Sequence, residues 1–219
     1  MSPRNIQFAV AFLLSLVVTL PACAMGTKNN MAGMHMPRTV TAFEIDEMEW
    51  RDGSDYAMKA GVWTGTELSR LTLSGEAHRR GQTTTQELTV DIQRAMSPFW
   101  DAGLTIRHSD SQNLTGLSLS GTAWYFIHVD SALFWDQDAD TFVFDLHAEH
   151  ELPLSRQWML VSSLEWERPI TGDGHRETEW GFRFVHEQPN RLGFYGGVVF
   201  HDESEHREKQ VVLGIRYWL

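Results

Sequence analysis

Four residues near the start of the chain carry its softest chemistry. Met31, Met34, His35 and Met36 fall within six positions of the stretch "NNMAGMHMP". Thioether sulfur is a soft ligand that selects Cu(I) over hard cations, and imidazole accepts either copper state. The stretch is too short for a core element and ends in a proline, which predicts a flexible segment able to fold around one ion. Methionine also suits an oxidising compartment, where thiols are consumed in disulfides, although it can itself be oxidised to the sulfoxide. The plain alternative is a linker that is rich in methionine by chance.

A second set of donors comes later. In "TFVFDLHAEHE", Asp145, His147, Glu149 and Glu151 recur at every second position. Glu165 and Glu167 follow on the next segment, with Met159 near its start. Carboxylate and imidazole suit Cu(II), and His147 is the strongest ligand candidate among them. Arg70, Arg107, Arg183 and Arg216 fall on the inward, polar face of their own expected strands. Mutual charge pairing is therefore the competing account, and for most of these acids the favoured one. His175, His201 and His206 fall in or beside polar connections. Cys23 is the only cysteine, so no disulfide forms within the chain and a metal site must use Met, His or carboxylate. The sequence carries no Gly-x-Ser-x-Gly, no phosphate-cradling glycine loop and no zinc-type histidine spacing, and it reads as a non-enzyme. A net charge of −11 argues against a nucleic-acid partner, which needs a basic face.

What must position these residues is a run of strands. Nine tryptophans and twelve phenylalanines coexist with a mean hydropathy of −0.30, so the aromatics are interleaved with polar residues. From about residue 42 the chain alternates apolar with polar in segments of about ten residues, and no helical period persists. Phe142, Phe144, Leu146 and Ala148 oppose Val143, Asp145, His147, Glu149 and Glu151. Trp180, Phe182 and Phe184 oppose Glu179, Gly181, Arg183 and Val185. Leu71 and Leu73 oppose Arg70, Thr72, Ser74, Glu76 and His78, and Val211, Leu213, Ile215 and Tyr217 oppose Gln210, Val212, Gly214, Arg216 and Trp218. The pattern predicts twelve strands, at about 42–51, 56–64, 68–78, 84–95, 99–108, 115–124, 127–135, 141–151, 156–167, 177–187, 191–201 and 209–219. Connections such as "SPF", "WYF", "LPLS" and "QPNR" are short or carry proline. They alternate with more polar ones: "RRGQ", "SDSQN", "DQDAD", "PITGDGHRE" and "DESEHREK".

Two architectures produce this texture, a soluble β-sandwich and a closed antiparallel transmembrane β-barrel. Three features favour the barrel. Aromatics gather at strand ends, as at Trp50, Trp63, Trp100, Trp124, Trp158 and Trp218. Whole rows of charge occupy the polar face, which an enclosed lumen can pair internally. The chain ends inside a strand, with apolar or aromatic residues at every second position back from Leu219. In lipid, closure follows from the cost of unpaired backbone groups at an open sheet edge, several kcal/mol each. An even strand number puts both termini on the periplasmic side.

Ahead of the strands lies an export signal. Arg4 begins it, and Phe8 to Leu20 is an apolar run too short to span a bilayer as a helix. Ala22-Cys23-Ala24 fits a small-x-small cleavage site, whereas Leu20-Pro21-Ala22-Cys23 resembles a lipobox in which Cys23 would carry lipid. The organisation expected is a signal peptide at 1–24, a flexible Met/His arm at 25–41 and a barrel at 42–219.

The blocks "SRLTLSGEAH", "RAMSPFWDAGLTIRH", "TFVFDLHAEHELPLSRQWML" and "VVLGIRYWL" occur in that order, from about Phe43 to Leu219. In them the chain resembles the copper resistance protein B family of bacterial outer membranes, most specifically in "SPFWDAG" and "GIRYWL". The resemblance implies an outer-membrane barrel in copper tolerance or copper traffic, with a Met- and His-rich arm ahead of it in the periplasm. It further implies copper as cargo, outer-membrane lipid as surroundings, and a periplasmic copper oxidase or copper carrier as partner. Three departures stand out: an arm reduced to Met31, Met34, His35 and Met36, Thr72 where the family often has an aromatic, and Leu219 in place of a terminal Phe. A generic small channel without metal preference is the alternative function.

Overall fold

The protein's computed structural model describes residues 38–53, 55–110, 112–170, 176–203 and 206–218. The leader, Cys23, the arm with Met31, Met34, His35 and Met36, His175 and Leu219 lie outside the described residues, as does the side chain of His206.

Twelve strands run in chain order through the described residues: β1 (Val40–Arg51), β2 (Tyr56–Gly65), β3 (Ser69–Arg80), β4 (Thr83–Ala95), β5 (Trp100–Ser109), β6 (Asn113–Thr122), β7 (Ile127–Asp136), β8 (Thr141–Pro153), β9 (Trp158–Pro169), β10 (Glu177–Glu187), β11 (Leu192–Glu203) and β12 (His206–Trp218). Each pairs antiparallel with its neighbours in sequence, and β1 pairs with β12 to close the ring. Closure leaves no sheet edge, the condition for a sheet in lipid. At 10 to 13 residues the strands are long enough to cross a hydrocarbon core at a tilt.

The two faces divide as the alternation predicts. Ile92, Leu104, Ile106, Leu117, Phe182, Phe184 and Leu213 stand exposed on the outside, and Trp180 stacks on Phe200 there with ring centroids 4.1 Å apart. An apolar surface of this extent does not suit water, so the sandwich alternative falls and the outward face is the lipid face. Gln210, Val212, Arg183, Val185, Glu49 and Arg51 are buried inside.

Three local features depart from the sequence reading. In β1 the register slips between Ile45 and Glu47 against β2, and between Ile45 and Met48 against β12. This bulge carries one extra residue, so Glu47 pairs with Lys59 on the inner face two residues before Glu49, while Asp46 also sits among Glu44, Lys59 and Arg216. The run "WYF" forms a single 3-10 turn at Trp124–Phe126 after β6 has ended at Thr122. Tyr125 and Phe126 take φ values of 62° and 59°, and all three rings stand more than 80% exposed. Finally, "DESEHREK" is not a long loop. β11 continues to Glu203 and β12 starts at His206, with Arg207 donating to Asp202 at 2.8 Å across the extended ladder. His201, the last residue of the expected strand 191–201, lies well inside β11, 4% exposed and inward.

Candidate functional site

The interior is wired by cations that reach across it. Arg51 on β1 donates from both terminal nitrogens to the two carboxylate oxygens of Glu179 on β10, each at 2.8 Å. It also contacts Glu49 at 3.2 Å. Arg183 on β10 returns the link to β1 through Glu49 and through Glu47 at 2.9 Å, and donates to the Ser163 hydroxyl at 2.7 Å. Arg216 on β12 reaches Glu151 and Glu149 on β8 at 3.1 and 3.7 Å. Arg107 on β5 holds three acids from three strands: Glu87 at 2.9 Å, Asp145 at 2.6 Å and Glu167 at 3.0 Å. Its guanidinium also lies 4.4 Å from the centroid of the Phe134 ring. Lys59 on β2 sits 2.8 Å from Glu76 on β3 and 3.8 Å from Glu165, on the far side of the ring on β9. Arg80 contacts His201 at 2.8 and 3.0 Å and lies 3.7 Å from Glu177.

These links leave a cavity of about 590 Å³ toward the end that carries the polar hairpins. It reaches the exposed residues Thr83, Thr85 and Asp110. Its lining holds eight Asp and Glu against Lys59, Arg80 and Arg107, together with His78 and His147. The acid excess is built into the register. Glu165 pairs directly with Glu179, and Glu167 with Glu177, across β9 and β10. Like charges placed directly opposite destabilise a sheet, so these rows are tolerated only because cations reach over to them.

Toward the termini the filling changes. Met159, Val161, Val185 and Tyr195 form a buried apolar cluster. The Tyr195 ring lies against Gly214 so closely that a Cβ there would come within 2.4 Å of the ring. A side chain at position 214 would evict the tyrosine from the lumen.

The expected donors are all inward but do not meet at one point. Asp145 is held by Arg107, His147 Nδ1 lies 3.1 Å from Glu165, and Glu149 lies toward Arg216. Glu151 pairs with Arg216, Glu167 with Arg107, and Met159 packs in the apolar cluster. Arg70, inward as expected, bridges Asp101 at 2.8 Å. Charge pairing is thus the state of most of these acids, as the competing account held. Among the described residues no three His, Cys, Asp or Glu side chains converge as a ready-made metal site. The sequence reading overlooked Lys59 and Glu47, and set His201 beside the polar connections without assigning it to the lumen. Lys59 was legible from parity, standing between Met58 and Ala60, but its partner on the far wall was not.

A closed ring with a lipid-facing apolar exterior and a charged, internally paired lumen defines an outer-membrane β-barrel. The sequence profile of the family described as copper resistance protein B precursor matches residues 39–219, and the chain belongs to that family. A copper resistance protein B homolog of Pseudomonas syringae pv. tomato (strain ATCC BAA-871 / DC3000) is 24% identical over 222 residues, covering 89% of this chain and 75% of that protein. Among solved structures, the NanC porin aligns with a TM-score of 0.55 at 12% identity, over 80% of this chain and 98% of the porin. The KdgM porin in complex with disordered oligogalacturonate aligns at 0.50 with 11% identity, over 80% and 98%. These two likenesses concern the fold alone.

Proposed function

We propose that the protein binds copper at the outer membrane as cargo, in copper resistance, without catalysing a reaction. The observation that carries this reading is the interior cavity of a copper resistance protein B family member, lined by eight acids and two imidazoles against three cations. Such a lining favours cations, and its oxygen and imidazole donors suit Cu(II). Within it, Asp145 and His147 are the donors nearest to a Cu(II) role, with Glu149 deeper beside Arg216. The residues from 25 up to the start of β1 at Val40 serve as the arm after a signal peptide at 1–24. Met31, Met34, His35 and Met36 take Cu(I) there, on the periplasmic side where both chain ends lie, and receive it from or hand it to a periplasmic copper carrier or oxidase. The apolar cluster around Tyr195 supports holding the ion over passing it through.

The test is a titration of the purified mature protein with Cu(I), Cu(II) and Zn(II), repeated after removal of residues 25–37, which leaves β1 whole. Loss of Cu(I) binding with retained Cu(II) binding is the expected result. Equal weak binding of all three ions before truncation would make the protein a generic channel.

A further inference from the structure

Five side chains from four strands meet inside the cavity in one chain of contacts. His78 Nε2 lies 3.6 Å from Glu76 Oε2. Glu76 Oε1 lies 2.8 Å from Lys59 Nζ, and Lys59 Nζ lies 3.8 Å from Glu165 Oε1. That same Glu165 oxygen is 3.1 Å from His147 Nδ1. Two carboxylates from opposite walls therefore flank a single ammonium, and each carries an imidazole beside it. We propose that Glu76, His78, His147 and Glu165 form a divalent-cation site whose resident occupant is the Lys59 ammonium, so that an incoming ion competes with a cation tethered to the protein.

Three observations carry this beyond ordinary charge pairing. First, the balance at this point leans to acid: one ammonium, Lys59, faces the two carboxylates Glu76 and Glu165, while Glu179 directly across the ladder is already taken by Arg51. Second, His147 Nδ1 is buried 3.1 Å from Glu165 Oε1, so a nitrogen and an oxygen donor already stand side by side on this wall. Third, all five residues line the cavity, so an ion can reach them. The donor set is two oxygens and two nitrogens, suited to Cu(II) and Zn(II) and poorly to Cu(I) or Mg²⁺.

The tethered ammonium explains why the four donors do not converge by themselves: they are spread around a larger, weaker cation. A tethered competitor acts at an effective concentration on the order of millimolar or more. It leaves the acids paired when no ion is present and raises the affinity a metal needs to enter. The inference takes its preferred ion from the copper reading, while the site itself stands on the geometry.

The experiment uses the full mature chain with Met31, Met34, His35 and Met36 replaced by serine, so that the arm contributes nothing. Cu(II) and Zn(II) are titrated into this protein and into its Lys59→Met and Lys59→Arg variants, each checked for folding by heat-modifiable migration. Lys59→Met is expected to bind Cu(II) at least tenfold more tightly, with nitrogen splitting from two imidazoles in its electron paramagnetic resonance spectrum. Lys59→Arg keeps a tethered cation and gains nothing. Adding His78→Ala or His147→Ala to Lys59→Met removes the gain and one nitrogen. Affinities for both Cu(II) and Zn(II) in Lys59→Met within twofold of the parent, or a gain that survives loss of both histidines, overturn the proposal. If Lys59→Met does not fold, His78→Ala and His147→Ala in the parent decide instead: each is expected to weaken Cu(II) binding tenfold, and unchanged affinity overturns the site. A gain for Zn(II) without one for Cu(II) would uphold the site and sink the copper reading.

Discussion

The half of the lumen beside the polar hairpins and the half beside the termini are made by the same twelve strands yet filled on different principles. The first holds water-accessible charge around a cavity, with Arg107, Lys59 and Arg80 spread among surplus acids. The second holds Met159, Val161, Val185 and Tyr195, packed without a gap for a side chain at Gly214. Apolar packing beside the Arg216–Glu151 and Arg70–Asp101 pairs narrows one end; at the other, long-range pairing offsets repulsion among the acids while leaving room inside. The contrast teaches that a barrel of this width need not be a channel, because side chains alone decide how far in a solute travels.

The largest effect should come from the apolar end. Tyr195→Ala removes a buried ring and is expected to cost about 3–5 kcal/mol, the range for large aromatic truncations. Urea unfolding in lipid vesicles would measure the loss. The same variant should raise single-channel conductance in planar bilayers, and if conductance stays at the wild-type level the lumen is not closed there. In the charged half, Arg107→Met leaves Glu87, Asp145 and Glu167 without their shared cation. Breaking a fully buried pair costs about 3–5 kcal/mol; here water in the cavity offsets part of that, so about 2 kcal/mol is expected, shrinking as salt is added. A salt-independent loss as large as that of Tyr195→Ala would erase the distinction between the halves. The smallest effect belongs to Arg207→Ala, whose partner Asp202 lies on an exposed hairpin. Exposed pairs contribute roughly 0–1 kcal/mol, and the temperature at which gel migration shifts should not move measurably.

Much of this architecture was legible in the sequence, for a physical reason. A sheet with lipid on one side and water or charge on the other imposes a period of two, so the parity of Phe182 and Arg183 assigned their faces directly. The inward placement of Asp145, His147, Glu149, Arg70, Arg107 and Arg216 followed from the same rule. The rule fails where the period breaks. The bulge in β1 puts Glu44 and Glu47, of opposite parity, on the same wall through an extra residue, and alternation has no way to announce it. It also fails across the lumen: Lys59 and Glu165 are 106 positions apart, and their meeting depends on strand tilt and shear, which leave no local trace. The charged run after His201 misled for a third reason. Its composition is that of a loop, yet acids and bases set opposite one another on β11 and β12 prolong the ladder.

The aromatic turn at Trp124–Phe126 has a mechanical corollary. Two successive residues in the left-handed region fan three rings outward at the base of the cylinder, where amphipathic rings settle at headgroup level. The hairpin thus behaves as a keel: it sets the depth at which the wall rides in the bilayer.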